Sequence, residues 1–398
     1  ISGLIIAEIL SREDNKVLLI EKNNHLASET TKKFHEWLHT GSLYTLVPDR
    51  MLTTRYLLGA IDDLIEYYSC FDGMNLNVSE SGLTIDKKGW FNDESILFKY
   101  KQRKINFIWD LVIAKSVIEL RKISNHDWLR RRGGEDYGAL KLLDPIIFKE
   151  LKSILQHKGE FYECDSSDLT MNSRLLITDI LEQALMNGLA IELNSNVIDV
   201  DQNGETVSVK TQDKNYYAKN TVICSPELIA KQEGLTIKQS YAPIVIVENV
   251  PKEARNFVEL DYYYKNCINL LKKGDGIGQA GGISVHQESK VDEYLEFLIR
   301  EHKKRYPSIE MIGSYVGVKK ELVRKGQNRN YEYHIHKTNK NIWSVVLGKF
   351  TLAFSLAPEF YRRIYHKNPS TNFNAVAYSE KSKYIDNTSW EEIVKNQE

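Results

Sequence analysis

The sequence is poor in the features that mark several protein classes. Its 53 lysines and arginines nearly balance 54 aspartates and glutamates, for a formal net charge of −1. No global field therefore draws it to nucleic acid or to an anionic membrane. Four cysteines, Cys70, Cys164, Cys224 and Cys267, lie far apart with no C-x-x-C pair. That spacing excludes a zinc ribbon or a dithiol motif, and no metal site is expected. The thiols read as buried and reduced, in a cytoplasmic setting. No uncharged run is long enough to span a bilayer, which leaves only peripheral membrane contact open. No internal repeat or low-complexity linker is visible, and the run Arg130, Arg131, Arg132 reads as a solvated turn.

What is present is an ordinary globular composition, 42% hydrophobic and 27% charged. The length of 398 residues suits two or three domains. The opening stretch ISGLIIAEILSREDNKVLLIEK reads as a glycine, a helix, a polar turn, a strand buried on both faces and an acid. A dinucleotide-binding crossover places G-x-G-x-x-G between its first strand and helix, with an acid roughly 20 residues on. Gly3 fits the third glycine, Ile1 and Ser2 the two residues before it, and Glu21, followed by Lys22, the acid. A strand and a G-x-G are then expected ahead of Ile1. The same order also fits a plain helix–strand pair of any α/β protein.

Further along, 51–70 reads as a helix, 75–98 as short strands and 104–158 as largely helical. Residues 172–187 form an amphipathic helix stopped by Gly188. Alternating strands follow around a hairpin at 202–204, then the short apolar strand NTVICSP. Residues 236–312 form a second insertion, with strands, a glycine-rich hairpin and a helix closed by Pro307. Finally NIWSVVLGKFTLAFSLAPEFYRRIY places a buried strand, Gly348 and a helix N-terminus in succession. Free backbone N–H groups at such a turn suit an anion or a flavin.

The stretch ASETTKKFHEWLHTGSLY at 27–44 resembles a segment of the FAD-dependent glycerol-3-phosphate dehydrogenases, within the wider D-amino-acid-oxidase-like flavoproteins. The family form is A-S-x-T-S-S-R-S-T-K-L-I-H-G-G-L-R-Y, matched at Ala27, Ser28, Thr30, His39, Gly41 and Tyr44. The family's G-L-R-P stretch, its arginine–tyrosine strand and its G-G-K-[LFW]-T turn are echoed at Gly317-Val318-Lys319, at Arg329 and Tyr331, and at Gly348-Lys349-Phe350-Thr351. These matches lie in the first 50 residues and in 313–365, and 170–225 agrees in its element order.

The resemblance implies an α/β protein with a Rossmann-like FAD-binding domain from 1–58, 159–235 and 313–366. An α+β substrate domain is formed by the insertions 59–158 and 236–312, and 367–398 is a peripheral tail. It implies that Ile1, Ser2, Gly3, Ser28, Thr30 and Thr31 lie along the FAD phosphates and ribityl chain, with Glu21 and Lys22 at the ribose. Val197 falls at the adenine, and His39, Gly41, Gly317, Gly348, Lys349 and Thr351 beside the flavin. His39, Tyr44, Lys319, Arg329 and Lys349 fall where the family lines its substrate pocket, with His39 as candidate base and the three cations facing an anionic substrate.

The sequence departs from the family at Glu36 (a lysine there), Thr40 (glycine), Leu43 (arginine) and Lys319 (arginine), which points away from glycerol 3-phosphate itself. Its last buried strand ends in Cys224-Ser225-Pro226, where the flavoproteins have Ala-Gly. The expected function is FAD-dependent oxidation of a small polar or anionic substrate at a C–OH carbon, with an unidentified electron acceptor. The alternatives are an amine or amino-acid oxidase and a flavin-binding protein without turnover. A nicotinamide dehydrogenase fits only the opening residues.

Overall fold

A computed structural model describes residues 1–44, 52–79, 82–101, 156–158, 160–261, 266–274, 276–323 and 331–397. The helical stretch expected at 104–158 lies outside these residues except at its end, where 156–158 is a strand. Arg130, Arg131, Arg132 and Arg329 also lie outside them.

The elements run in order as helix α1 (Ser2–Arg12), strands β1 (Leu18–Ile20) and β2 (Trp37–Leu38), and helix α2 (Leu52–Tyr68). Strands β3 (Leu76–Ser79), β4 (Gly82–Ile85), β5 (Phe91–Lys101), β6 (Gln156–Lys158) and β7 (Phe161–Met171) follow. Next come helix α3 (Ser173–Met186), β8 (Ala190–Glu192), β9 (Val197–Asn203), β10 (Thr206–Thr211), β11 (Asn215–Ala218), β12 (Thr221–Ile223) and helix α4 (Pro226–Glu233). Then β13 (Thr236–Glu248), β14 (Phe257–Asp261), β15 (Asn266–Gly274), β16 (Ile277–Gly282) and helix α5 (Val291–Arg305). The last are β17 (Glu310–Val323), β18 (Tyr333–Asn339), β19 (Ile342–Leu347), helix α6 (Ala353–Tyr365) and helix α7 (Ser389–Lys395).

Two bodies result. The first is a Rossmann-like core in which β1 pairs in parallel with β8, and β12 in parallel with β19. The apolar stripe of α1 (Leu4, Ile5, Ile6, Ile9) is buried in one cluster with α3, α6 and the inner face of α2. The two parallel pairs share no ladder, and a large cavity runs between β1 and β12. Leu18 is 42% exposed and Leu19 and Ile20 are half-buried, so β1 is less buried than its apolar run predicts.

The second body is a mixed sheet in the order β17-β13-β16-β15-β14-β5-β7-β2, with β6 beside β7. It crosses the boundaries expected from sequence: β7 and β17 are strands of this sheet, and all of α2 packs on the Rossmann-like core. Helix α5 covers one face through Leu298 and the valines of β13. The other face carries the cluster of Trp37, Phe98, Tyr100 and Leu271.

Residues 367–397 form a strap, not a peripheral tail. Ile385 bridges to Leu26, Gln183 binds the backbone at 374 and 376, and Glu391 pairs with Arg174 at 2.9 Å. Helix α4 went unforeseen, although Ser225 caps it, Pro226 opens it and Gly234 closes it in the left-handed conformation.

On the inner face of α5, His302 is fully buried. Burial pushes its pKa down to about 4, with Arg305 adding to the shift. Protonation is then easier in the unfolded chain, so stability is lost as pH falls from about 6.5 toward about 4. Between pH 7.5 and 5 this one group is expected to cost about 2 kcal/mol. Urea unfolding of wild type and His302→Leu at both pH values checks this; the variant should lose about 2 kcal/mol less, and an equal loss refutes it.

Candidate active site

The cavity, lined by residues of both bodies, measures about 1640 Å³, well above the roughly 300–1,000 Å³ of an ordinary small-ligand pocket. Its wall brings together Ile1, Ser2, Gly3, Glu21, Lys22, Ser28, Thr30, Thr31 and Val197 at one end. His39, Gly317, Lys319, Gly348 and Lys349 lie along the rest. Gly41, Tyr44 and Thr351 are not on the wall but support it.

Each residue is held for a local reason. Helix α1 has no side-chain cap, and Ile1, Ser2 and Gly3 at its start line the cavity. A Cβ on Gly3 would sit 3.4 Å from Leu19 and 3.8 Å from Cys224, ordinary contact distances, so α1 packs beside β1 and the end of β12 without needing a glycine there. Glu21 stands just past β1, and its Oε1 accepts from Asn23 N and Nδ2, both at 3.0 Å, which fixes the carboxylate at the rim. Lys22 pairs with Glu29 at 3.1 Å. Thr30 donates to the carbonyl of Val318 at 2.9 Å and Ser28 to that of His25 at 3.1 Å, so both hydroxyls tie the 25–33 loop down. Thr31 Oγ1 lies 3.4 Å from the Ile1 nitrogen. Gly317 lets this loop cross β17, since a Cβ there would be 2.5 Å from the Lys33 carbonyl oxygen. Gly41 has a packing reason: its φ is +112°, and a Cβ would be 2.9 Å from the Thr54 carbonyl oxygen of α2.

At the far end, β19 runs into Gly348 and Lys349, then a tight turn and α6, as the sequence pattern indicated. No side chain caps this turn either. Phe34 stacks on Phe350 at 4.7 Å between ring centres. The Lys349 ammonium lies 4.7 Å from the Tyr44 ring centre and 5.1 Å from that of Tyr331, a pair of cation–π contacts.

His39 sits at the centre. Its backbone N–H donates to Thr351 Oγ1 at 3.1 Å. Its Nε2 is 3.3 Å from the Tyr44 hydroxyl, and its Nδ1 is 3.5 Å from Asp168 Oδ2. Burial lowers its pKa, Asp168 opposes that shift, and Lys349 and Lys319 reinforce it. The imidazole is therefore neutral at neutral pH. A carboxylate 3.5 Å from Nδ1 favours the tautomer protonated there, in which Nε2 would accept from Tyr44.

Asp168 escaped the sequence reading. Its carboxylate is fully buried and accepts from Thr40 N (2.8 Å), Thr40 Oγ1 (2.5 Å) and Trp37 Nε1 (2.9 Å). The available signal was a polar residue at every second position of β7, Ser166, Asp168 and Thr170, in a strand that is buried on both faces there. Among the described residues no group of histidine, cysteine and acidic side chains could hold a metal. His334 and His336 lie on one edge strand, and His336 pairs with Glu233 at 3.0 Å.

A Rossmann-like core joined to a large sheet across a long cavity, with two uncapped helical turns facing into it, defines a dinucleotide-dependent flavoenzyme architecture. The cavity's volume, the uncapped helical turns at its wall and Glu21 fit a flavin dinucleotide. The sequence profile of the FAD dependent oxidoreductase (DAO) family matches residues 1–346, and the chain belongs to that family. It is an FAD-dependent oxidoreductase. Solved structures of similar fold include L-alpha-glycerophosphate oxidase from Mycoplasma pneumoniae (TM-score 0.64, 17% identity, 94% of each chain covered). L-proline dehydrogenase from P. horikoshii is also similar (0.63, 11%, 96% of this chain and 94% of that one). So is glycine oxidase from Geobacillus kaustophilus (0.60, 13%, 95% and 94%). A search of proteins of curated function finds no match. No helix among the described residues is long and apolar enough to cross a membrane.

Proposed function

We propose that this protein oxidises a small carboxylate-bearing substrate at a C–N bond, an amine or amino acid, in place of the C–OH chemistry expected from the glycerol-3-phosphate dehydrogenase resemblance. One observation carries this reading: both ring nitrogens of His39 are turned to protein groups, Asp168 and Tyr44. No basic lone pair of that histidine is then offered to a substrate hydroxyl, which an alcohol needs and a neutral amine does not. Glycine oxidase and L-proline dehydrogenase, both of similar fold, carry amino acids in their names.

In this reading the first N–H groups of α1, with Gly3, Ser28, Thr30 and Thr31, hold the FAD pyrophosphate, Glu21 the ribose and Val197 the adenine. Gly348 and Lys349 lie at the flavin, where bound FAD supplies the hydride acceptor. Lys319 and Lys349 give the cavity the positive field that an anionic substrate requires.

C–OH oxidation remains the second reading, favoured by Asp168, whose charge raises the basicity of His39. His39→Ala separates the two. With FAD bound, turnover of an amino substrate should stay within about tenfold of wild type. A fall of about 10²–10⁴, the usual contribution of a general base, would favour the alcohol reading. Anaerobic bleaching of the flavin absorbance by amino acids and by the matching 2-hydroxy acids identifies the reacting bond directly.

A further inference from the structure

We propose that Asp386 and Glu392, on the strap, are positioning residues for the cofactor: through Lys32 they hold the 25–33 loop in the shape that receives the FAD pyrophosphate. This rests on the reading above, in which Ser28, Thr30 and Thr31 of that loop meet the pyrophosphate. It is independent of whether a C–N or a C–OH bond is oxidised.

The loop has two sides. Ala27, Ser28, Thr30 and Thr31 belong to the cavity wall, and Lys32 does not. The Lys32 ammonium turns to the strap instead, 2.6 Å from Glu392 Oε1 and 3.4 Å from Asp386 Oδ2. Only 15% of that side chain is exposed, so water and salt screen its pairs less than those of an ordinary surface lysine. His25 Nδ1 lies 3.3 Å from the same Asp386 oxygen. Next to it, Leu26 N donates to the Tyr384 carbonyl at 2.9 Å, and Leu26 bridges to Ile385 in parallel. The strap therefore grips the loop at residues 25, 26 and 32, on either side of the hydroxyls at the cavity.

The loop needs such a grip. Its regular structure is a single 3₁₀ turn at Thr30–Lys33. Ala27 is held at φ +57°, a left-handed backbone that alanine adopts rarely and at a cost. It sits between Leu26, tied to the strap, and Ser28, whose hydroxyl donates to the His25 carbonyl at 3.1 Å. Released at 25, 26 and 32, Ala27 relaxes out of this conformation, and the hydroxyls that follow it lose their placement. The strap is itself well seated: Glu391 pairs with Arg174, and Ile393 lies over Gly313 of β17. A loop shaped before the cofactor arrives binds it more tightly than one ordered on binding. By linkage, bound FAD holds the strap by the same factor.

Lys32→Met tests this from outside the cavity wall. Full-length protein freed of flavin is titrated with FAD while flavin fluorescence is followed. Lys32→Met should bind FAD about five- to thirtyfold more weakly than wild type. Asp386→Asn with Glu392→Gln should do the same, and adding Lys32→Met to that pair should weaken binding no further, because one set of contacts is removed. Lys304→Met breaks an ion pair with Glu301 on α5 and is the control, expected to bind FAD as wild type does. Hydrogen exchange supplies the reciprocal readout. In wild type, amides of residues 384–395 should exchange about five- to thirtyfold more slowly with FAD bound than without it. An affinity of Lys32→Met within about twofold of wild type overturns the assignment, as do strap amides indifferent to FAD. Thr31→Val separates this assignment from the reading beneath it. If Thr31→Val weakens FAD binding and Lys32→Met does not, the loop holds the pyrophosphate without the strap, and only this assignment falls. If neither variant weakens it, the loop is not the pyrophosphate site and both fall.

Discussion

Glu36→Ala is expected to cost about 3–5 kcal/mol, the range for removing one partner of a buried ion pair. Glu36 is 2% exposed and ties four parts of the chain together. Its Oε1 accepts from Ser173 N at 2.9 Å and Ser173 Oγ at 2.5 Å, at the first turn of α3. Its Oε2 accepts from Lys273 Nζ of β15 at 2.5 Å and from Trp390 Nε1 of α7 at 2.7 Å. Without the carboxylate, an ammonium with only 3% of its side chain exposed is left unpaired. Alanine keeps the same left-handed backbone penalty at this position, so the loss reports the side chain alone. The double variant Glu36→Gln with Lys273→Met removes the stranded charge and should be more stable than Glu36→Ala. Urea denaturation followed by tryptophan fluorescence and far-UV circular dichroism supplies both numbers. A loss below about 1 kcal/mol, or a double variant weaker than the single, would show that the pair does not couple the domains.

This carboxylate shows where sequence was informative and where it was not. At sequence level Glu36 is a departure from a family pattern, a lysine replaced by an acid, and so a mark against the expected substrate. In the fold it faces Lys273, which lies in the second insertion, and the pairing is invisible until β2 and β15 are brought together. Local signals fared better. The α1 stripe, the Gly348 turn into α6 and the helix ending before Pro307 each follow from spacing and capping within a dozen residues. The cavity-lining residues near Gly3, Glu21 and Lys349 were legible because each lies at or near an element end, whereas Ser28 came from the family resemblance alone. The large sheet was only partly legible, since β5, β7 and β17 come from segments far apart in sequence, and nothing local sets their order.

Asp168→Ala is the other substitution with a large expected effect, a loss of about 4 kcal/mol. Three donors, Thr40 N, Thr40 Oγ1 and Trp37 Nε1, lose their acceptor at a position closed to water. Each unmet donor costs about 1–3 kcal/mol, and partial relaxation recovers some of the sum. The damage should not stop at stability, because the same carboxylate fixes the stretch from Trp37 to Thr40 on which His39 stands. Asp168→Asn separates the two roles. Its amide oxygen can still serve Thr40, but its N–H₂ meets the Trp37 N–H, a donor against a donor. Toward His39 the same N–H₂ favours an unprotonated Nδ1, which moves the imidazole proton to Nε2 and reverses the contact with Tyr44. Loss of the carboxylate charge also takes away what holds the His39 pKa up, so that pKa should fall further below its ordinary value. Nitrogen-15 chemical shifts of the His39 ring, followed against pH, read the tautomer and the titration together. A wild-type ring protonated on Nδ1 and an Asn variant protonated on Nε2 are the expected pair. The same tautomer in both proteins would mean that Asp168 braces the fold without setting the histidine's proton, and the preference of His39 for Tyr44 would then need another cause.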